Sequence, residues 1–147
     1  MSEGFPKEFF ALYHAAVFEA IGDDAPKYNA KIGALLANAW AKRLNELPSG
    51  HDGFKRAIEE FFKGAFRFAD TAELTFKLDG TAELYVKGCG VCLGNEILRG
   101  KGKKGSCPIS QMLKSAMGKS LKGNVELTGS EKPGPVGECY LRYNVHK

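Results

Sequence analysis

All four cysteines of the chain lie in its second half. Two of them form the Cys-x-x-Cys of Gly88-Cys89-Gly90-Val91-Cys92, a spacing that lets one knuckle present two thiolates to a single metal ion. Cys107 precedes a predicted short helix and Cys139 opens a predicted last strand, so the four meet only if the fold gathers them. Soft thiolates in this number point to zinc, with Cys89, Cys92, Cys107 and Cys139 as the ligand set. Two other readings stay open: a redox pair at Cys89 and Cys92, or unconnected buried thiols. A redox pair wants the start of a helix, where the dipole lowers the thiol pKa. Here the pair follows a predicted strand and sits among glycines, which predicts a turn and favours the metal.

No other constellation competes. His14, His51 and His146 are scattered over a first helix, a helix-start loop and the C-terminus, and assemble no nucleophile triad. His14 is expected on a helix surface or as a satisfied core residue. Arg99 to Gly105 is rich in lysine and glycine and predicts an exposed loop. It lacks the interleaved aromatics of a base-stacking surface, so a nucleic-acid partner is not expected. Gly100, Gly102 and Gly105 do not follow a strand at dinucleotide-binding spacing.

The elements that must position the cysteines fall into two halves. Phe9, Phe10, Tyr13, Val17 and Ile21 recur at helical spacing up to Gly22. Behind Asp23, Asp24 and Pro26, a second helix carries Ile32, Leu35, Leu36, Ala39, Trp40, Leu44 and Leu47 on one face, and Pro48-Ser49-Gly50 ends it. A third, from about Asp52, carries Phe54, Ile58, Phe61, Phe62, Ala65 and Phe66. The period then changes to two. Ala72, Leu74, Phe76 and Leu78 alternate with polar residues, Asp79-Gly80 predicts a two-residue hairpin turn, and Ala82, Leu84 and Val86 return toward the Cys-x-x-Cys. A short helix capped by Ser106 is predicted to stop at Gly118, followed by strands around Val125-Leu127 and Cys139-Val145. The order is three helices, hairpin, loop, helix and two strands: an α+β fold, with an N-terminal helical layer on a C-terminal antiparallel sheet.

With 147 residues and 44% hydrophobic content the chain suits one domain, its helical part at about 5–68 and its sheet and cysteine-rich part at about 70–146. The net charge of +4 decides little. There is no leader pattern and no apolar run long enough to span a bilayer, so a cytoplasmic protein with reduced cysteines is expected.

The run Cys107-Pro108-Ile109-Ser110-Gln111-Met112-Leu113, the strand near Val125-Glu126-Leu127, and the closing Gly137-Glu138-Cys139-Tyr140-Leu141-Arg142-Tyr143 together resemble the small-molecule-binding domain named after 4-vinyl reductase, over about the last 60 residues. That family shares its larger fold with the TRAPP vesicle-tethering subunits and the heme nitric-oxide-binding domains. The resemblance implies a domain that encloses an apolar or aromatic small molecule, often as a homodimer, with a structural zinc held by cysteines and a glutamate. Cys107 and Cys139 match the first and last of those ligands. The family's Glu-x-x-Cys finds only Glu126 before Thr128 and Gly129, or Glu131 before Pro133 and Gly134. Cys89 and Cys92 are taken as the replacement, and whether Glu126 or Glu131 also ligates stays open. The expected cavity is lined by Tyr13, Trp40, Phe62 and Phe66, and the expected dimer contact by Phe9, Phe10, Tyr13 and Val17. The alternatives are a zinc- or thiol-dependent enzyme acting on a hydrophobic substrate, and an interaction module like a tethering-complex subunit.

Overall fold

The computed structural model describes residues 7–44, 48, 50–65, 69–103, 105–131 and 137–146. The helices are α1 (Lys7–Ile21), α2 (Ala25–Arg43), α3 (Gly50–Glu60), α4 (Gly90–Gly100) and α5 (Pro108–Leu121), and the strands are β1 (Thr71–Phe76), β2 (Thr81–Lys87), β3 (Asn124–Glu131) and β4 (Cys139–His146). A 3-10 turn, Gly22–Asp24, joins α1 to α2, and a π turn, Phe61–Ala65, extends α3. The strands form one antiparallel sheet in the order β1-β2-β4-β3. The fold is α+β, helices first and strands after, with α4 and α5 inserted between the two strand pairs.

Alternation along the strands creates the core. Ala72 and Leu74, then Ala82, Leu84 and Val86, then Cys139, Leu141 and Tyr143 all turn to one face and are buried. Against them pack Trp40, Phe54, Ile58, Val91, Met112, Leu113 and Met117 from the helices. Burying a side chain of this kind contributes about 1.5–3 kcal/mol. The other sheet face is polar, and there Tyr85 lies beside Tyr140 with ring centroids 4.9 Å apart. Among the described residues no helix is long and apolar enough to cross a membrane.

α2 and α5 run parallel: Asn29 bonds the Cys107 carbonyl, Gly33 lies on Gln111 and Met112, and Asn38 bonds Lys119. A Cβ at Gly33 would stand 2.6 Å from the Met112 backbone nitrogen, so only glycine lets the helices come this close.

Several expectations need correction. The largest is α4, which occupies residues expected as a glycine-rich turn and the start of a loop. α1 buries Ala11, His14, Ala15 and Phe18, so Tyr13, expected to line a cavity, stands exposed beside Phe9 and Leu12. Small residues win because α4 comes close there: a Cβ on Gly94 would lie 2.9 Å from the Ala11 carbonyl. On α2, Ala37 and Trp40 are buried, whereas Leu35 and Leu36 face outward. The hairpin turn has Leu78 at its tip, fully exposed, closed by Lys77 N–H to the Thr81 carbonyl at 2.8 Å. α5 continues through Gly118 to Leu121, and its N-cap is Cys107 in place of Ser106.

Candidate metal and thiol site

The Cys-x-x-Cys is built on a backbone crossing. After β2 the chain turns at Gly88 (φ 71°), and the chain entering β4 turns at Gly137 (φ 98°), both in the left-handed region that glycine alone adopts at little cost. A Cβ on Gly88 would meet the Asp70 carboxyl carbon at 2.7 Å, and one on Gly137 would meet Gly88 Cα at 3.4 Å. Cys89 N–H donates to the Gly137 carbonyl at 3.3 Å, which holds the start of α4 two residues from Cys139. Cys89 is the extended N-cap of α4, and its carbonyl accepts Leu93 N–H at 3.1 Å. Cys92 therefore lies in the first helical turn, at the positive end of the helix dipole.

The second pair is assembled by α5 and β4. Cys107 caps α5 with Pro108 at the first helical position, where its missing N–H costs nothing. The Cys107 carbonyl accepts Ser110 Oγ at 2.7 Å and Asn29 Nδ2 at 3.3 Å. Cys139, the first residue of β4, lies opposite Val86, and its thiol donates to the Tyr140 carbonyl at 3.6 Å. Cys107 is half-buried as a residue, and its thiol is desolvated by the surrounding protein. That desolvation pushes its pKa up, the neighbouring Cys139 adds to the rise, and hydrogen bonds from Ser110 oppose it. Tyr143 is raised well above the ordinary tyrosine value by burial and next by Cys107 and Cys139, so these three groups share one neighbourhood. Its hydroxyl donates to the Ser110 carbonyl at 2.9 Å and ties β4 to the first turn of α5.

All four predicted ligands thus border the same core: Cys89, Cys92 and Cys139 lie within it and Cys107 packs against it. None forms a disulfide. Among the described residues, no three His, Cys, Asp or Glu side chains are gathered closely enough to hold a metal ion. The donor chemistry nonetheless suits zinc. Four thiolates on Zn²⁺ leave a net charge of −2, and the N-termini of α4 and α5, each capped by a cysteine, supply partial positive charge. Glu126 is exposed, pairs with His146 at 3.0 Å, and lies opposite Asn144. At roughly 3.3 Å per strand residue that is a long way down β4 from Cys139. Glu131 holds the register position opposite Tyr140.

No family model matches the chain, and no curated protein matches it.

Of the expected aromatic quartet, Tyr13 stands apart from Trp40 and Phe62, which are both packed in the core. Tyr13 is 62% exposed and stacks on Phe9. Trp40 is buried edge-on against Phe54 with centroids 6.0 Å apart, and Phe62 is buried against Phe61 at 5.6 Å. Phe66 lies outside the described residues. Two surface depressions are lined by other residues. One of ≈ 390 Å³ lies between α2, α5 and β3, beside Ala30, Gln111 and Lys114. The other, ≈ 480 Å³, lies at the hairpin end beside His51, Phe76, Leu78 and Val145.

Sequence reasoning missed a buried polar chain behind Cys107. Asn95 Oδ1 accepts Ser106 N–H at 2.8 Å, so His14 Nε2, 2.9 Å away, is the donor in its contact with the same oxygen. Ser106 Oγ lies 3.0 Å from Asn29 Oδ1, to which it donates. Burial holds the His14 pKa below the ordinary histidine value, although its bonds to Asn95 and the Ser106 backbone pull the other way. The available signal was composition: Asn29, Asn95 and Ser106 are uncharged polar residues, each set within or beside an otherwise apolar helical face.

Proposed function

We propose that the protein is a small-molecule-binding or sensor domain in which a structural zinc, held by Cys89, Cys92, Cys107 and Cys139, locks α4 and α5 to the sheet. The observation that supports this is the cap register: Cys89 and Cys107 each begin a helix, Cys89 N–H is bonded two residues from Cys139, and Cys139 neighbours Cys107. Zinc would draw the four sulfurs into a tetrahedral shell and would act by cross-linking, with no open position for chemistry. The resemblance of the C-terminal third to the 4-vinyl reductase domain supports a bound apolar or aromatic ligand. Among the described residues, a hollow of ≈ 480 Å³ beside Phe76, Leu78 and Val145 offers such a ligand some apolar surface. A cytoplasmic setting keeps such thiols reduced.

Native mass spectrometry of the purified protein should find one zinc per chain, and Cys107→Ser or Cys139→Ser should lose metal and stability together. Rapid modification of all four thiols without a chelator, or undiminished zinc in those variants, would refute the site.

Homodimerisation through α1 and α2 belongs to the same proposal. Phe9, Leu12 and Tyr13 on α1, with Tyr28, Leu35 and Leu36 on α2, are each between 38% and 62% exposed. Taking about 200 Å² per full side chain, they offer on the order of 600 Å² per chain, and a two-fold contact that used all six would reach the ~1,200 Å² at which stable interfaces begin. Phe10 and Val17 are half-buried and serve as support behind this surface. A dimer in sedimentation that Leu12→Glu converts to monomer is the expected result, and a wild type monomeric at high concentration refutes it.

One observation favours a second reading, thiol-dependent redox chemistry: the Cys-x-x-Cys begins a helix, where thiolates are stabilised. Against it, Cys89 and Cys92 are only 3% and 5% exposed, and reactive cysteines are open to their partners.

A further inference from the structure

The stretch Gly105 to Cys107 has no regular structure of its own, yet its polar groups are taken up by side chains from two helices. Asn95 of α4 receives Ser106 N–H at 2.8 Å. Asn29 of α2 accepts from Ser106 Oγ at 3.0 Å and donates Nδ2–H to the Cys107 carbonyl at 3.3 Å. Behind Asn95, His14 of α1 donates to the same amide oxygen at 2.9 Å, and Ser106 and His14 are themselves buried. Gly105 presses on α4, where a Cβ would meet the Asn95 amide carbon at 2.9 Å. Most short connections leave their backbone groups to water. Here a buried amide and imidazole, Asn95 and His14, and a half-buried amide, Asn29, fix three residues, a costly arrangement unless the place of the last residue matters. That last residue is Cys107.

We propose that Asn29 and Asn95 are positioning residues for Cys107, clamping the chain on either side of Ser106 so that Cys107 keeps its place at the start of α5. This rests on the proposed thiol site, but the clamp acts on the sulfur whether or not metal is bound. With Cys107 held at the start of α5, its sulfur needs no loop ordering to join a metal. Released, it would adopt other positions, and a bound zinc would lose one of its four proposed thiolates. Orienting groups of this kind typically change metal affinity 10–100-fold when removed.

The test uses the full chain and Asn29→Ala, with Asn29→Asp as the conservative partner: the aspartate keeps the acceptor for Ser106 and loses the donor to the Cys107 carbonyl. On cobalt substitution, Asn29→Ala should weaken binding about 10–100-fold and lower the thiolate-to-cobalt absorption, with Asn29→Asp between it and wild type. Chelator-treated protein gives a second, metal-independent reading. There, mass-resolved alkylation of Cys107 should accelerate about ten-fold in Asn29→Ala while Cys89 keeps its wild-type rate. Wild type that binds neither cobalt nor zinc overturns the zinc reading alone. Unchanged Cys107 alkylation in Asn29→Ala overturns the clamp, as does faster alkylation of Cys89 and Cys107 alike, which marks general loosening.

Discussion

Replacing Gly33 by alanine should destabilise the protein strongly, although the same change in an ordinary helix is favourable. Gly33 lies within α2, where alanine gains about 1 kcal/mol in helix propensity. Opposing this, the new Cβ would face the Met112 backbone nitrogen at 2.6 Å and the Gln111 carbonyl carbon at 2.7 Å. Non-bonded carbons are comfortable at about 3.5–4.0 Å, so α2 and α5 must part by roughly 1 Å, and a gap of that size forfeits a quarter to a half of each contact lining it. Backbone atoms cannot rotate aside, so the cost belongs at or above the upper end of the 1–3 kcal/mol typical of overpacking. The net loss is about 2–3 kcal/mol, or a fall in Tm of roughly 6–9 °C for a chain of this length. Asn29 lies one turn away, so the parting also pulls its amide from the Cys107 carbonyl. Gly53→Ala is the internal control: within α3 its nearest neighbour is Pro48 Cβ at 3.7 Å, ordinary contact, so thermal unfolding should show it as stable as wild type or up to ~1 kcal/mol more so. Should Gly33→Ala melt with or above wild type, the close parallel packing of α2 on α5 is wrong.

Two further substitutions probe single local features. Lys122 caps α5 in the left-handed region at φ 55°, so Lys122→Gly should raise stability by about 1 kcal/mol in denaturant titration; a loss would mean that the lysine side chain contributes more than the strain costs. His14 is held neutral by burial, its pKa below the ordinary value near 6.5, so the unfolded chain takes up its proton first as pH falls. Its contribution is therefore present above about pH 6.5 and lost below it, and His14→Gln should flatten that acid-side slope; an unchanged slope would assign it to other groups.

The hairpin and the final strands were legible because period-two alternation and one buried face reinforce each other: Ala72, Leu74, Ala82, Leu84, Leu141 and Tyr143 all fall where the pattern puts them. Leu78 broke the pattern because a turn residue with no neighbour across it has no face to obey. The helical layer was legible as helices but not as faces. Bulk suggested that Tyr13, Leu35 and Leu36 point inward, whereas the close approaches of α1 to α4 and of α2 to α5 are at glycines, Gly94 and Gly33, which let the backbones come together. Size predicts burial only when the space between two elements is not already set by their closest atoms.

α4 was hidden for a related reason. Gly88, Gly90 and Gly94 surround the Cys-x-x-Cys, and glycine density reads locally as a turn. Only Gly88 turns the chain; Gly90 and Gly94 lie in the helix, where a Cβ would meet Phe10 at 2.9 Å and the Ala11 carbonyl at 2.9 Å. Their use is in contacts distant in sequence, which no local window contains. The cap of α5 follows the same rule. Serine is a far better N-cap than cysteine, and Ser106 stands one residue before Cys107. It does not cap, because its N–H and hydroxyl are already given to Asn95 and Asn29. Those two amides, 66 residues apart in the chain (95 − 29), thereby shift the helix start by one residue and place a thiol at its positive end.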